Sequence, residues 1–73
     1  MNEASLSVAL SVNGEPMEVA AGTSVAGLLE LVGLAAKKVA VERNLEIVPR
    51  SAYAQTLLCA RDAIEIVHFV GGG

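Results

Sequence analysis

Ala63-Ile64-Glu65-Ile66-Val67-His68-Phe69-Val70-Gly71-Gly72-Gly73 is the stretch on which the reading of this chain turns. From Ile64 to Val70, β-branched and aromatic residues are interrupted only by Glu65 and His68. That density predicts a strand at the centre of a sheet, covered largely on both faces. The glycines after it are the opposite kind of sequence. They have no side chain to bury and lose the most backbone freedom when ordered, so they predict a mobile, extended thread leaving the body. The expected division is a folded body over residues 1–70 and a tail over residues 71–73. A backbone without Cβ atoms can pass a narrow channel in a partner, and three extended residues reach roughly 10 Å. The free carboxylate expected on Gly73 would be the group so presented. An ordinary loose end mixes Ser, Pro, Glu and Lys, whereas this one passes from apolar strand straight to glycine.

Composition narrows the possibilities. Seventy-three residues make one small domain with room for a sheet and one or two helices. The hydrophobic fraction is 53% and the aromatic fraction 3%, so the core must be built from Val, Leu, Ile and Ala. A net charge of −3 with only five Lys and Arg argues against a nucleic-acid partner. Met1-Asn2-Glu3 lacks the positive region of a signal peptide, and the apolar stretch Val25 to Ala36 is too short and too interrupted to span a bilayer. A cytoplasmic protein with no membrane partner is the expectation. The single cysteine excludes an intramolecular disulfide, and no Cys/His cluster suggests a metal. Cys59, within Leu57-Leu58-Cys59-Ala60, reads as a small buried hydrophobe, and His68 as a solvated or hydrogen-bonded strand residue. No catalytic constellation can be assembled, which places any chemistry at the chain end or on a partner.

Taken in order, Leu6, Val8, Leu10 and Val12 alternate with small or polar residues, the period of two of a strand with one buried face. Asn13-Gly14 predicts a tight hairpin, and a short return strand around Met17 to Val19, with Pro16 at its start, is expected at the sheet edge. Thr23 is a candidate N-cap for a helix whose Val25, Leu28, Leu29 and Val32 share one face. Gly33 should stop it, with Leu34 folding back. Gly27 inside the helix is a mild cost unless something approaches closely there. Lys38 to Glu42 reads as a third strand, Arg43-Asn44 as a turn, and Leu45 to Val48 as a short fourth strand closed by Pro49. Ser51 could cap a brief helical turn through Gln55 that sets Tyr53 and Leu57 against the body. The order ββαββ, short helix, β predicts an α+β domain with a mixed sheet of about five strands, its first and last strands central and parallel. This is the β-grasp, or ubiquitin-like, arrangement.

The chain resembles the ThiS family, the sulfur carriers of thiamine biosynthesis. The resemblance runs from Leu6 onward. It rests on Val12-Asn13-Gly14-Glu15, on Thr23-Ser24-Val25-Ala26-Gly27-Leu28-Leu29, and on Val39-Ala40-Val41-Glu42-Arg43-Asn44. It continues in Ile47-Val48-Pro49-Arg50 and in Ile64-Glu65-Ile66-Val67-His68-Phe69-Val70-Gly71-Gly72-Gly73. One departure is visible: the family usually carries Gly-Asp before the last strand, and this chain has Arg61-Asp62. The resemblance implies that the Gly73 carboxylate is adenylated by a ThiF-type adenylyltransferase using ATP. A sulfur donor protein then converts the adenylate to a thiocarboxylate. Thiazole synthase (ThiG) receives it for the thiazole ring of thiamine. It also implies that the carrier is a regenerated cosubstrate with no turnover of its own and no bound cofactor. Gly71 and Gly72 would thread into the partner, and Gly73 would carry the reactive acyl group.

Glu65, Val67 and Phe69 should lie on the face opposite Ile64, Ile66 and His68, with either set free to meet the helix. The outward set, beside Ser7, Ala9 and Ser11, is expected to form a shallow docking patch in which Val67, Phe69 and Val70 contact partners. Three other readings share part of this pattern. One is the small subunit of molybdopterin synthase, another a ubiquitin-like protein modifier, and a third an interaction module whose tail is idle. An enzyme using Cys59 as nucleophile is the poorest fit, because nothing beside it in sequence would lower a thiol pKa.

Overall fold

The computed structural model describes residues 6–69. Its elements are β1 (Ser7–Val12), β2 (Glu15–Ala20), α1 (Val25–Leu31), a 3-10 turn (Ala36–Lys38), β3 (Val39–Arg43), β4 (Glu46–Val48), a second 3-10 turn (Arg50–Ala52) and β5 (Ala63–His68). One five-stranded sheet has the order β2-β1-β5-β3-β4. β1 and β5 are parallel at its centre, and the other neighbours are antiparallel. This is the β-grasp arrangement expected from the sequence, with β2 outermost.

Hairpin chemistry fixes both flanks. Asn13 and Gly14 have positive φ, as a two-residue turn with the twist of its strands requires. The second hairpin turns at Asn44 and Leu45, also both at positive φ, one residue later than the sequence suggested. Leu45 is therefore in the turn, β3 runs on to Arg43, and β4 shortens to Glu46–Val48.

The helix starts one residue later than expected. Ser24, in extended conformation, accepts from the Gly27 N–H at 3.0 Å, while the Thr23 hydroxyl donates instead to the Ala20 carbonyl at 2.7 Å. Thr23 is thereby committed to the preceding turn, and Ser24 does the capping. The Val25 and Ala26 N–H groups, which no helical carbonyl can reach, donate to Thr56 and Tyr53. A Cβ on Gly27 would stand 3.2 Å from the Thr23 methyl, so the close approach at that glycine is to the cap and not to a strand. At the other end Gly33 (φ +78°) donates to Glu30 and Leu34 donates to Leu29, the paired bonds of a Schellman stop, and Leu34 folds back onto the core as expected.

Val25, Leu28 and Leu29 from α1 meet Leu10, Val19, Val39, Val41, Ile64 and Ile66 from one face of the sheet. Each fully buried side chain of this kind contributes about 1.5–3 kcal/mol, and these account for most of what a domain this small can bury. Tyr53 is buried and its hydroxyl donates to the Val39 carbonyl at 3.4 Å. Its neighbours differ from expectation. The turn is 3-10 with Pro49, not Ser51, at its start, and Leu58 is buried while Leu57 is 53% exposed. An isolated bridge between Ser24 and Leu57 places Leu57 at the surface and its successor underneath.

β5 is central but covered on one face only. Ile64 and Ile66 are buried, whereas Glu65, Val67 and Phe69 face outward. The apolar run signalled its central position correctly. The second apolar row is left uncovered because the one helix lies on the other side.

Arg61, the point at which the sequence departs from the resemblance, sits at φ +69°. An L side chain pays for that conformation, and the Arg61 side chain is exposed. Arg61→Gly is expected to raise the unfolding free energy by about 0.5–1 kcal/mol, read as a higher denaturant midpoint at unchanged slope.

Candidate functional site

The glycine end is approached through β5, and side chains tie that strand at its start and at its middle. At its start, the Asp62 carboxylate accepts from the Arg43 Nε at 2.9 Å, the Asn44 amide at 3.0 Å and the Cys59 backbone N–H at 2.8 Å. Asn44 completes the clasp: its Oδ1 accepts from the Ala63 N–H at 2.9 Å and its own N–H donates to the Ala63 carbonyl at 2.8 Å. Asp62 is 4% exposed. Burial pushes its carboxyl up, but the Cys59 N–H, the Asn44 amide and the Arg43 guanidinium outweigh that and hold it below its ordinary value. The same contact, chiefly its hydrogen bond, raises the Arg43 guanidinium.

The middle of β5 is held by Asn13. Ser11 pairs with Ala63 and Val12 with Ile64, so β1 stops two residues into β5 and the later residues run past it. Asn13 bridges the gap. Its N–H donates to Ile64 at 2.8 Å, its Oδ1 accepts from the Ile66 N–H at 2.8 Å, and its Nδ2 donates to the Ile66 carbonyl at 3.3 Å. The side-chain amide thus substitutes for one peptide unit of a missing strand and satisfies both polar groups of Ile66. On the other side β3 pairs with β5 as far as Val39 opposite His68, and the Phe69 N–H donates to Lys38 at 3.0 Å. The backbone is in register up to the last described residue.

This geometry sorts the expected site residues. Val67 and Phe69 are 58% and 54% exposed on the outward face. They lie beyond the end of β1, so Ser7 and Ala9 do not border them; Ala40 stands opposite Val67, and Ile47 opposite Glu42, on the β3–β4 side. The expected neighbourhood was wrong because it assumed that β1 and β5 are level. His68 is exposed, as expected. Val70, Gly71, Gly72 and Gly73 lie outside the described residues. Cys59 is exposed, not buried, with the Arg43 Nη2 at 3.5 Å from its sulfur. It stands before the start of β5, so the whole of that strand, about 20 Å long, lies between it and the last described residue. Among the described residues, no three His, Cys, Asp or Glu side chains gather as metal ligands, and no helix is long and apolar enough to cross a membrane.

Asn13 and Asn44 were legible only as turn residues. The signal for more was their amide: only Asn or Gln carries donor and acceptor on one short arm, and either turn would accept Asp or Gly equally well.

Known proteins share this architecture. The thiamine biosynthesis protein ThiS of Geobacter metallireducens superposes with a TM-score of 0.78 at 39% identity, over 90% of this chain and 100% of that one. The sulfur carrier protein ThiS of Bacillus subtilis is 46% identical over 65 residues, 88% of this chain and 98% of that protein. A thiazole synthase of Magnetococcus marinus is 50% identical over 64 residues, but this chain spans only 20% of its length. The ThiS family model matches residues 10–73, which takes in all of the sheet beyond the first residues of β1, the helix and the glycine end. A β-grasp body, a central strand leading into glycine, and a family match over nearly the whole length agree: the chain belongs to the ThiS family.

Proposed function

We propose that this chain carries sulfur for the thiazole ring of thiamine on the carboxyl group of Gly73. The observation that carries this reading is the match to a sulfur carrier protein over 98% of that protein's length, together with a family match that runs through this chain's glycine end at residue 73. A carboxylate at neutral pH is a poor acyl donor, because the leaving group would be oxide. Attack of its oxygen on the α-phosphorus of ATP, held by a ThiF-type adenylyltransferase, expels pyrophosphate and leaves an acyl adenylate. A persulfide sulfur on a donor protein then attacks the acyl carbon and AMP departs. Cleavage of the resulting S–S bond by a thiol leaves the thiocarboxylate on Gly73. Gly71 and Gly72 give the thread the slimness to enter the partner's site. Thiazole synthase is the acceptor, and the likeness to a fifth of one such enzyme supports that pairing. The chain is in this reading a regenerated cosubstrate of the cytoplasm, not an enzyme, and holds no cofactor of its own. The identity to ThiS favours the thiamine pathway over that of molybdopterin.

Partners dock on the outward face of β5, through Val67 and Phe69 and onward through Val70. Phe69 is the one phenylalanine of the chain and stands half exposed at the last position held by the sheet. An aromatic side chain with no core role fits an interface anchor. Phe69→Ala should leave the circular dichroism and melting temperature close to the parent and weaken the apparent affinity of the adenylyltransferase about tenfold. An unchanged affinity in the folded variant would remove this face from the docking surface.

A further inference from the structure

The outward face holds a second feature besides its apolar side chains. Glu42 on β3 lies directly opposite Glu65 on β5, and Ile47 on β4 lies directly opposite Glu42, so one row across the sheet reads Ile47, Glu42, Glu65. Side chains so paired stand about 5 Å apart, and like charges in that arrangement destabilise the sheet. Among the described residues neither carboxylate has an ion-pair or hydrogen-bond partner, since the one ion pair is that of Arg43 with Asp62 on the opposite face. The next rows toward the glycine end are Ala40 with Val67, then Lys38 with Phe69, so the two carboxylates are bordered by Ile47 on one side and by Val67 on another. The pair lies one row from Val67, so a partner surface that extends from Val67 across β3 and β4 takes it out of water. Two unpaired carboxylates cannot be covered without heavy cost unless the incoming surface brings a cation.

Resting on the sulfur-carrier reading, we infer that Glu42 and Glu65 form a receptor for a guanidinium or ammonium group of thiazole synthase, seated within the apolar contact made by Ile47, Val67 and Phe69. The acceptor enzyme is the occupant chosen, because it must receive an anionic thiocarboxylate from a chain whose net charge is −3, and a relative named for that activity carries a segment 50% identical to this chain. A basic surface meets all three demands. The like-charge pair then has a purpose. It draws the two proteins together through charge complementarity, and its repulsion in the unbound carrier is relieved when the partner's cation arrives between the two carboxylates.

The test uses the full-length chain and the full-length thiazole synthase of the same organism, with binding measured by calorimetry at low and at physiological salt. Parent binding should weaken as salt rises. The isosteric double variant E42Q/E65Q should bind about tenfold more weakly at low salt, lose most of that salt dependence, and melt at a higher temperature than the parent. A double variant that binds as tightly as the parent with the same salt dependence overturns the inference. So does one that melts no higher, because the pair was then not repelling, and so does a loss confined to the adenylyltransferase, because the occupant is then the wrong protein. Sulfur loading on Gly73 is scored separately by mass. A chain that never gains sulfur yet binds thiazole synthase through these glutamates would end the carrier reading and leave the receptor in place.

Discussion

Asp62→Ala is expected to lower the unfolding free energy by about 2–3 kcal/mol. The carboxylate gathers three donors from separate parts of the chain: Arg43 at the end of β3, Asn44 in the hairpin turn, and the Cys59 N–H in the loop before β5. Removing it takes the partner from the Cys59 N–H and the Asn44 amide, and it leaves Arg43 without its anion. Arg43 is 31% exposed, so water recovers part of that last loss and the figure stays below that for a fully buried pair. For a domain this small the fall in melting temperature is on the order of 10–20 °C. The same site sets an acid limit. The Asp62 carboxyl is held below its ordinary value in the folded protein, so its contribution is fully present above the unfolded carboxylate range, near pH 4. It is lost as pH falls through the lower folded value. Parent stability should therefore decline below about pH 4, and Asp62→Ala should flatten that decline. A parallel decline in both proteins would show that other carboxylates dominate.

Deleting Gly72 and Gly73 should abolish adenylation and sulfur transfer while leaving the melting temperature within about 1 °C of the parent, because neither glycine can contribute apolar burial. The effect on function is total because the acyl group that reacts moves inward by two residues, about 7 Å, and no longer reaches the partner's reactive centre. Full activity of the shortened chain in thiamine synthesis would leave an interaction module with an idle tail as the better description.

Much of the architecture can be read from short-range chemistry. The alternation from Val8 to Val12, the Asn13-Gly14 turn and the stop at Gly33 each depend on a few adjacent residues, and each holds in the structure, whereas Leu6 lies outside β1 and is exposed. The centrality of β5 follows from its apolar density, and the parallel pairing with β1 from the helix that must cross between hairpins. What sequence left hidden depends on register and on distant partners. Nothing local indicates that β1 stops two residues into β5, so neither the clasp of Asn13 on Ile66 nor the true neighbours of Val67 could be seen. The apolar setting of Cys59 in sequence suggested burial, but Leu58 takes the inward position and turns Cys59 out beside Arg43. Thr23 and Ser24 are equally good caps by type, and only the preceding turn's claim on the Thr23 hydroxyl decides between them. Val70 to Gly73, which carry the chemistry in the sequence reading, lie outside the described residues, so the functional case for them rests on the family and on where β5 leads.

The central claim is that the acyl group of Gly73 is itself the reagent. Intact mass of the chain co-expressed with its adenylyltransferase and sulfur donor tests it most directly. The account predicts a gain of about 16 Da, the replacement of one oxygen by sulfur, located by fragmentation on the C-terminal peptide and absent when Gly72 and Gly73 are removed. A chain that keeps its unmodified mass while thiamine is being made, or that carries the added sulfur on Cys59, would contradict it.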